Sequence, residues 1–371
     1  MSEYLFPSVQ VAVGLVGLIV GGELLVRGAS ALAAAARIPP LVIGLTVVAF
    51  GTSAPEQAVA LNAAISGNAD VALGNAVGSN ILNVLLILGL SALILPLVVS
   101  STLVRRDVPI MIGTAVLLLL LGLDGNLGFV DGAILFGALI AYIAWTVIEG
   151  RRESAAVKAE FIEVARTPNK TGAKYILRQV AILLAGLIVL AGASHWLVQG
   201  SVTVARLWGV TELMIGLTIV AVGTSLPEAV TSIVASMRGQ RDIAVGNVVG
   251  SNIFNVLAVL GLAGLFAPEG VAVSSAVLRF DIPVMIAASV ACLPIFFTGQ
   301  RIDRWEGALF LGYYVAYTVC LIMSATGNKH QNAFATMMLF IVIPLTVLTI
   351  IVSVYRAFRE RGGTNADSAD V

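Results

Sequence analysis

The stretch IGLTVVAFGTSAPE, Ile43–Glu56, returns as IGLTIVAVGTSLPE, Ile215–Glu228, with eleven of fourteen positions identical at an offset of 172. A second stretch, GNAVGSNILNVL (Gly74–Leu85), returns at the same offset as GNVVGSNIFNVL (Gly246–Leu257), with ten of twelve identical. Fainter echoes surround both. Leu25-Val26 and Gly28 match Leu197-Val198 and Gly200, Asp107-Val108-Pro109 answers Asp281-Ile282-Pro283, and Gly132-Ala133 answers Gly307-Ala308. The chain is a duplication, and the question becomes what solvent the duplicated unit was built for.

Composition answers that. Of 371 residues, 58% are hydrophobic and 11% charged, with a formal net charge of zero. Soluble domains carry about 25% charged residues, so too few charges exist here to build a water-facing surface. The mean hydropathy is +0.99. The outer solvent is therefore lipid, and disorder, nucleic-acid binding and a secreted disulfide scaffold are excluded. Cys292 and Cys320 fall in apolar runs and read as small buried hydrophobes. The start, MSEYLFPSVQ, has no basic n-region, so the first apolar run reads as a retained helix rather than a signal peptide.

At about 20 residues per span, the apolar runs predict helices over 9–36, 41–66, 71–99, 107–123, 128–149, 175–206, 211–236, 243–267, 280–298, 304–325 and 334–358. In hydrocarbon the backbone must satisfy its own polar groups, which selects helices over open strands. The duplication covers the first ten. Residues 1–149 form one five-helix unit, 150–174 a charged cytoplasmic loop and 175–325 the second unit; 326–371 add an extra helix and a tail. Five is odd, so the second unit enters the membrane inverted, a transporter architecture with its site at the repeat interface. With the N-terminus outside, 17 basic residues lie inside and three (Arg206, Arg279, Lys329) outside, while Arg27 sits within helix 1. The expectation is an all-α, multi-pass protein of the plasma or inner membrane with a cytoplasmic C-terminus.

The best-matched segments are the least lipid-like. Glu56 and Glu228 are the carboxylates deep inside spans 2 and 7, and an intramembrane charge marks a functional site by default. Each follows a proline, Pro55 or Pro227, which removes an N–H and frees carbonyls one turn back, around Ala49–Gly51 and Ala221–Gly223. With the hydroxyls of Thr52, Ser53, Thr224 and Ser225 these make an all-oxygen environment, which suits hard cations such as Ca²⁺ and Na⁺. No His or Cys cluster accompanies them, which disfavours zinc and copper. In helices 3 and 8, Asn75, Ser79 and Asn83, and likewise Asn247, Ser251 and Asn255, recur every fourth residue along one face. Asn80 and Asn252 are offset from that face and are expected to brace the next turn. Glu23 and His195 are repeat equivalents and read as gating or helix-contact groups; Asp107 and Asp281 read as helix-start signals.

GTSAPE, GTSLPE, GSNILN (Gly78–Asn83) and GSNIFN (Gly250–Asn255) resemble the α-repeats of the sodium/calcium exchanger family, within the calcium:cation antiporters, in its prokaryotic form without regulatory domains. The resemblance implies ten core helices in inverted repeats, with helices 2, 3, 7 and 8 around the ions. It implies exchange of Ca²⁺ for Na⁺ by alternating access and no prosthetic group. Carried over by position, Glu56 and Glu228 resemble the shared carboxylates, and Thr52 and Thr224 the adjacent ligands. Ser53 and Ser225, with the carbonyls of Ala49 and Ala221, resemble Na⁺ ligands. Ser79 and Ser251 resemble outer or Na⁺ ligands, and Asn83 and Asn255 hold the central positions of helices 3 and 8. Some members carry aspartate where Asn255 stands, so this site has two carboxylates rather than three.

Two other readings compete. Ca²⁺/H⁺ exchange uses the same glutamates, because a carboxylate that binds Na⁺ also binds H⁺. An intramembrane hydrolase needs a base beside Ser53 or Ser225, and the two histidines are His195 and His330; a passive channel needs no counter-ion. The expected partners are the bilayer and the transported ions, with no nucleic acid and no required oligomer.

Overall fold

The computed structural model describes residues 2–36, 38–67, 69–156, 172–297, 300–328 and 330–338, with isolated positions from 340 to 348. It is almost wholly helical. The helices are α1 (Ser2–Ala36), α2 (Pro40–Thr52), α3 (Ala54–Ile65), α4 (Val71–Ile94), α5 (Leu103–Asp124), α6 (Phe129–Ala156) and α7 (Ala173–Leu207). Then come α8 (212–223), α9 (Leu226–Met237), α10 (Arg241–Phe266), α11 (277–297), α12 (Arg304–Ala325) and α13 (Gln331–Met337).

Among the described residues seven helices are long and apolar enough to cross a membrane, or eight when α2 and α3, bent by 47° at their junction, count as one span. The single helices expected over 41–66 and 211–236 are each broken, at Ser53 and at Thr224–Ser225. The prolines explain it. Pro55 and Pro227 lie in the first turns of α3 and α9, where a missing N–H costs nothing and the fixed φ suits a helix start. The ninth expected span is a π-type turn, Val277–Asp281, followed by a helix over Ile282–Phe297. The eleventh opens as α13, and most of 334–358 lies outside the described residues, as do 157–171 of the charged loop.

α1 and α7 run antiparallel along a glycine seam. Gly14 faces Leu197, Gly21 faces Leu190 and Gly28 faces Leu183. A Cβ on Gly186 would stand 2.6 Å from the Leu25 amide nitrogen, so no other residue allows this approach. Small residues serve that purpose in helix pairs within lipid. This pair has its own apolar cluster with Ile43, Val48 and Ala235, while the larger core gathers on α4, α5, α6, α10 and α11. The most enclosed helix is α10, with 89% of its apolar window buried, followed by α4 at 72%.

Two short ribbons tie the halves. β1 (Leu97–Val98) pairs antiparallel with β4 (Arg301–Ile302), and β2 (Asn126–Leu127) with β3 (Val271–Ala272). The 22 residues of α5 separate β1 from β2. At 1.5 Å per residue that is roughly 33 Å, so the ribbons sit at opposite ends of the molecule.

Candidate functional site

The two helix breaks bring the repeated motifs together. At each break a serine leaves the helical region, Ser53 at φ −81°, ψ 7° and Ser225 at φ −91°, ψ 9°. The glutamate three residues later falls in the first turn of the next helix, where the positive end of the helix dipole favours an acid. Glu56 is 0% and Glu228 1% exposed.

The motif hydroxyls of each half reach carboxylate and amide oxygens of the other half. Ser53 Oγ donates to Glu228 Oε1 at 2.9 Å, and Ser225 Oγ to Glu56 Oε1 at 3.0 Å. Thr52 Oγ1 donates to Asn247 Oδ1 at 3.1 Å, and Thr224 Oγ1 to Asn75 Oδ1 at 3.4 Å. Asn75 and Asn247 in turn donate to the backbone carbonyls of Glu56 and Glu228, both at 3.3 Å. Each contact has its counterpart when the residue numbers are exchanged by 172. Asn80 and Asn252 follow the same rule. Each donates to the other's carbonyl, at 3.2 and 3.3 Å, so they clamp α4 to α10 rather than brace their own helices.

Ser79 Oγ lies 3.1 Å from Ser225 Oγ, and Asn83 Nδ2 donates to Asn252 Oδ1 at 3.0 Å. Asn83 and Asn255 each start a π-type turn, Asn83–Leu88 and Asn255–Leu260; such bulges recur at functional sites. The Ala49 carbonyl accepts from the Ser53 amide at 3.0 Å and lies 3.4 Å from Thr52 Oγ1. Ala221 opens the last turn of α8.

Unpartnered atoms show what the arrangement can hold. Among the described residues, Glu56 Oε2, Glu228 Oε2, Asn83 Oδ1, Ser251 Oγ and both polar atoms of Asn255 are buried with no hydrogen-bond partner. A buried acceptor left unpaired costs about 1–3 kcal/mol, more when charged. Two carboxylate oxygens kept without donors are costly in a protein that binds nothing and useful in one that binds cations. No group of three His, Cys, Asp or Glu forms among the described residues, so the other oxygens around the pair are hydroxyl, amide and backbone oxygens.

Asn75 and Asn247 carry more than the stripe reading gave them, since they hold the two threonines; their four-residue step before Ser79 and Ser251 was the signal. Glu23 pairs with Arg238 at the end of α9, the helix contact expected of it, while His195 lies exposed on α7. A second departure is an asymmetry. Asn247 also donates to Ser232 Oγ at 3.0 Å, and the repeat equivalent of Ser232 is Ala60.

A family profile described as "Sodium/calcium exchanger protein" matches residues 7–148 and 178–323. The chain is 39% identical over 325 residues to the "Putative antiporter CaxA" of Alkalimonas amylolytica, covering 86% of this chain and 100% of that one. It is 35% identical over 339 residues to the "Sodium/calcium exchanger MaX1" of Methanosarcina acetivorans, covering 83% and 96%. Its fold resembles the solved sodium/calcium exchanger from Methanococcus jannaschii with a TM-score of 0.72 at 28% identity, over 85% of this chain and 98% of that one.

Proposed function

The chain belongs to the sodium/calcium exchanger family, a family of multi-pass membrane antiporters rather than enzymes, and from that premise we propose that it exchanges Ca²⁺ for Na⁺ across the cell membrane by alternating access. The observation that carries the reading is the pair of buried glutamates, each holding one hydroxyl from the opposite half and one unpartnered oxygen.

The mechanism is a charge argument. Two carboxylates give the site a charge of −2, which one Ca²⁺ or two Na⁺ neutralise. Both loads together leave excess positive charge in a low dielectric, which is strongly unfavourable. Mutual exclusion of this kind is what coupled exchange requires. Glu56 and Glu228 serve both ions, with Thr52 and Thr224 beside them. Ser53, Ser225, Ser79, Ser251 and the carbonyls of Ala49 and Ala221 complete Na⁺ sites, and Asn83 and Asn255 supply the centre. A further Na⁺ on neutral ligands makes the cycle electrogenic. A loaded, neutral site permits inward–outward switching, and an empty −2 site blocks it.

Ten core helices in two inverted repeats, residues 1–149 and 175–325, plus an extra C-terminal helix, form the proposed frame, with the N-terminus outside. The exchange-by-172 hydrogen bonds and the ribbons at opposite ends support it. In the proposed motion the antiparallel α1–α7 pair slides against the rest.

The test is ⁴⁵Ca²⁺ uptake into proteoliposomes loaded with Na⁺ or with choline at one clamped pH. Uptake with Na⁺ inside and none with choline supports the proposal. Equal uptake that collapses with the proton gradient moves the chain to Ca²⁺/H⁺ exchange on the same glutamates.

A further inference from the structure

The first two turns of α5 and the C-terminal half of α6 flank an open crevice of about 590 Å³, lined by Thr102, Arg105, Arg106, Pro109, Ile110, Trp145 and Glu149. Leu103 opens and Gly150 closes the apolar windows of these two helices, so the crevice lies where a span meets the headgroup layer. Basic and aromatic residues gather at that depth.

Arg106 is its polar centre. Its Nε and Nη2 donate to the two oxygens of Asp107, both at 3.1 Å, and its guanidinium stands 6.0 Å from the Trp145 ring centroid. Its Nη1 is buried without a partner among the described residues.

The duplication supplies an internal control. Where the first half has Arg106, Trp145 and Glu149, the second has Phe280, Cys320 and Ser324. The second half keeps its aspartate all the same. Tyr317 donates to Asp281 at 2.8 Å, with Phe280 stacked on Tyr317 at 6.1 Å. The repeated fold therefore needs neither the second arginine, the tryptophan nor the glutamate at these places. They equip one end of one half for something else.

The chemistry of the lining specifies what. Guanidinium N–H groups are the preferred donors to phosphate oxygens. A carboxylate has about four lone-pair sites and accepts an ammonium without giving up another partner. Arg106 is balanced by Asp107, and Arg105 by Glu149, so the crevice carries both signs and no net charge. That matches a zwitterion better than an anion. Pro109, Ile110 and the Trp145 ring supply an apolar wall for glycerol and the start of an acyl chain.

We propose that this crevice binds the headgroup of a zwitterionic phospholipid with a primary ammonium, of the phosphatidylethanolamine type: phosphate on Arg105 and Arg106, ammonium on Glu149, chain along Pro109, Ile110 and Trp145.

The test is native mass spectrometry of the full chain released from micelles with equimolar dioleoyl phosphatidylethanolamine, phosphatidylcholine and phosphatidylglycerol. The expected result is at least fivefold more retained phosphatidylethanolamine than either other lipid. Glu149→Gln brings it down to the phosphatidylcholine level, and Arg105→Gln lowers retention of all three lipids while Arg105→Lys keeps most of it. Both lossy variants leave the Arg106–Asp107 pair intact, and their thermal midpoints report folding. Phosphatidylcholine differs only in its methylated ammonium, so equal retention of the two overturns the proposal. So does a preference for phosphatidylglycerol, an ethanolamine preference unchanged in folded Glu149→Gln, or retention unchanged in folded Arg105→Gln. Displacement by equimolar free phosphoethanolamine overturns the lipid assignment in favour of a soluble phosphate.

Discussion

Each glutamate of the central pair accepts one serine hydroxyl and leaves one oxygen unpartnered, and the residue-scale predictions follow from that imbalance. Glu56→Gln and Glu228→Gln each remove a negative charge while keeping the shape. Ca²⁺-driven exchange in vesicles should fall by at least a hundredfold in either variant, with both proteins still monodisperse on size exclusion. In the wild type, Ca²⁺ at 100 times its dissociation constant should add about 2.7 kcal/mol to stability. Thermal unfolding should show this rise in midpoint, and neither variant should show it. Acid acts in the same direction as the amides, since a protonated glutamate has lost its charge. Apparent Ca²⁺ affinity should therefore weaken as pH falls, by up to about tenfold per unit for each proton displaced; an affinity that strengthens in acid contradicts the assignment. The oxygen-bearing side chains around the pair were legible in GTSAPE and GTSLPE. The crossing of Ser53 to Glu228 and Ser225 to Glu56 was not, because hydrophobic periodicity carries no information about partners 175 and 169 residues apart.

Among the elements, the ones that matter most are those a hydropathy profile reads poorly. α2 and α3 look like one apolar run, as do α8 and α9, because a proline in a first turn leaves the composition on both sides unchanged. Yet the break puts Ser53 and Ser225 in non-helical geometry, and this lets them reach the other half. The π-type turns at Asn83 and Asn255 are equally invisible, since one wide turn shifts the helical period by a single residue. The α1–α7 seam is legible only in part: Gly14, Gly17 and Gly21 recur every third or fourth residue, the spacing of a close helix contact, but nothing in the sequence names the partner helix. The Gly186→Val variant tests the seam. Its new Cβ meets the Leu25 amide nitrogen at 2.6 Å and the Gly21 carbonyl at 2.9 Å. Overpacking of this kind costs about 1–3 kcal/mol, occasionally more. The thermal midpoint should drop by several degrees, and exchange should fall further than folding does. A variant with wild-type midpoint and rate would mean that the close approach has no consequence.

For the whole molecule, the duplication predicts sidedness. β2 and β3 lie at one end, with Asn126 donating to the Glu269 carbonyl at 3.2 Å, and the α9–α10 turn at Gln240 belongs to the other. In a background where the buried Cys292 and Cys320 are left in place, Asn126→Cys should react with a membrane-impermeant maleimide added to intact cells. Gln240→Cys should react only after the membrane is opened. Labelling of both from outside contradicts the inverted topology. The central claim is that Ca²⁺ and Na⁺ compete for one site made by Glu56 and Glu228, and equilibrium ⁴⁵Ca²⁺ binding to the purified protein, titrated with NaCl against choline chloride at constant ionic strength, tests it most directly. The charge argument predicts complete displacement by Na⁺ with a Hill coefficient of about two or above, and no specific Ca²⁺ binding in the Glu56→Gln, Glu228→Gln double variant. Ca²⁺ that stays bound at saturating Na⁺, or binding that survives the loss of both carboxylates, would contradict it.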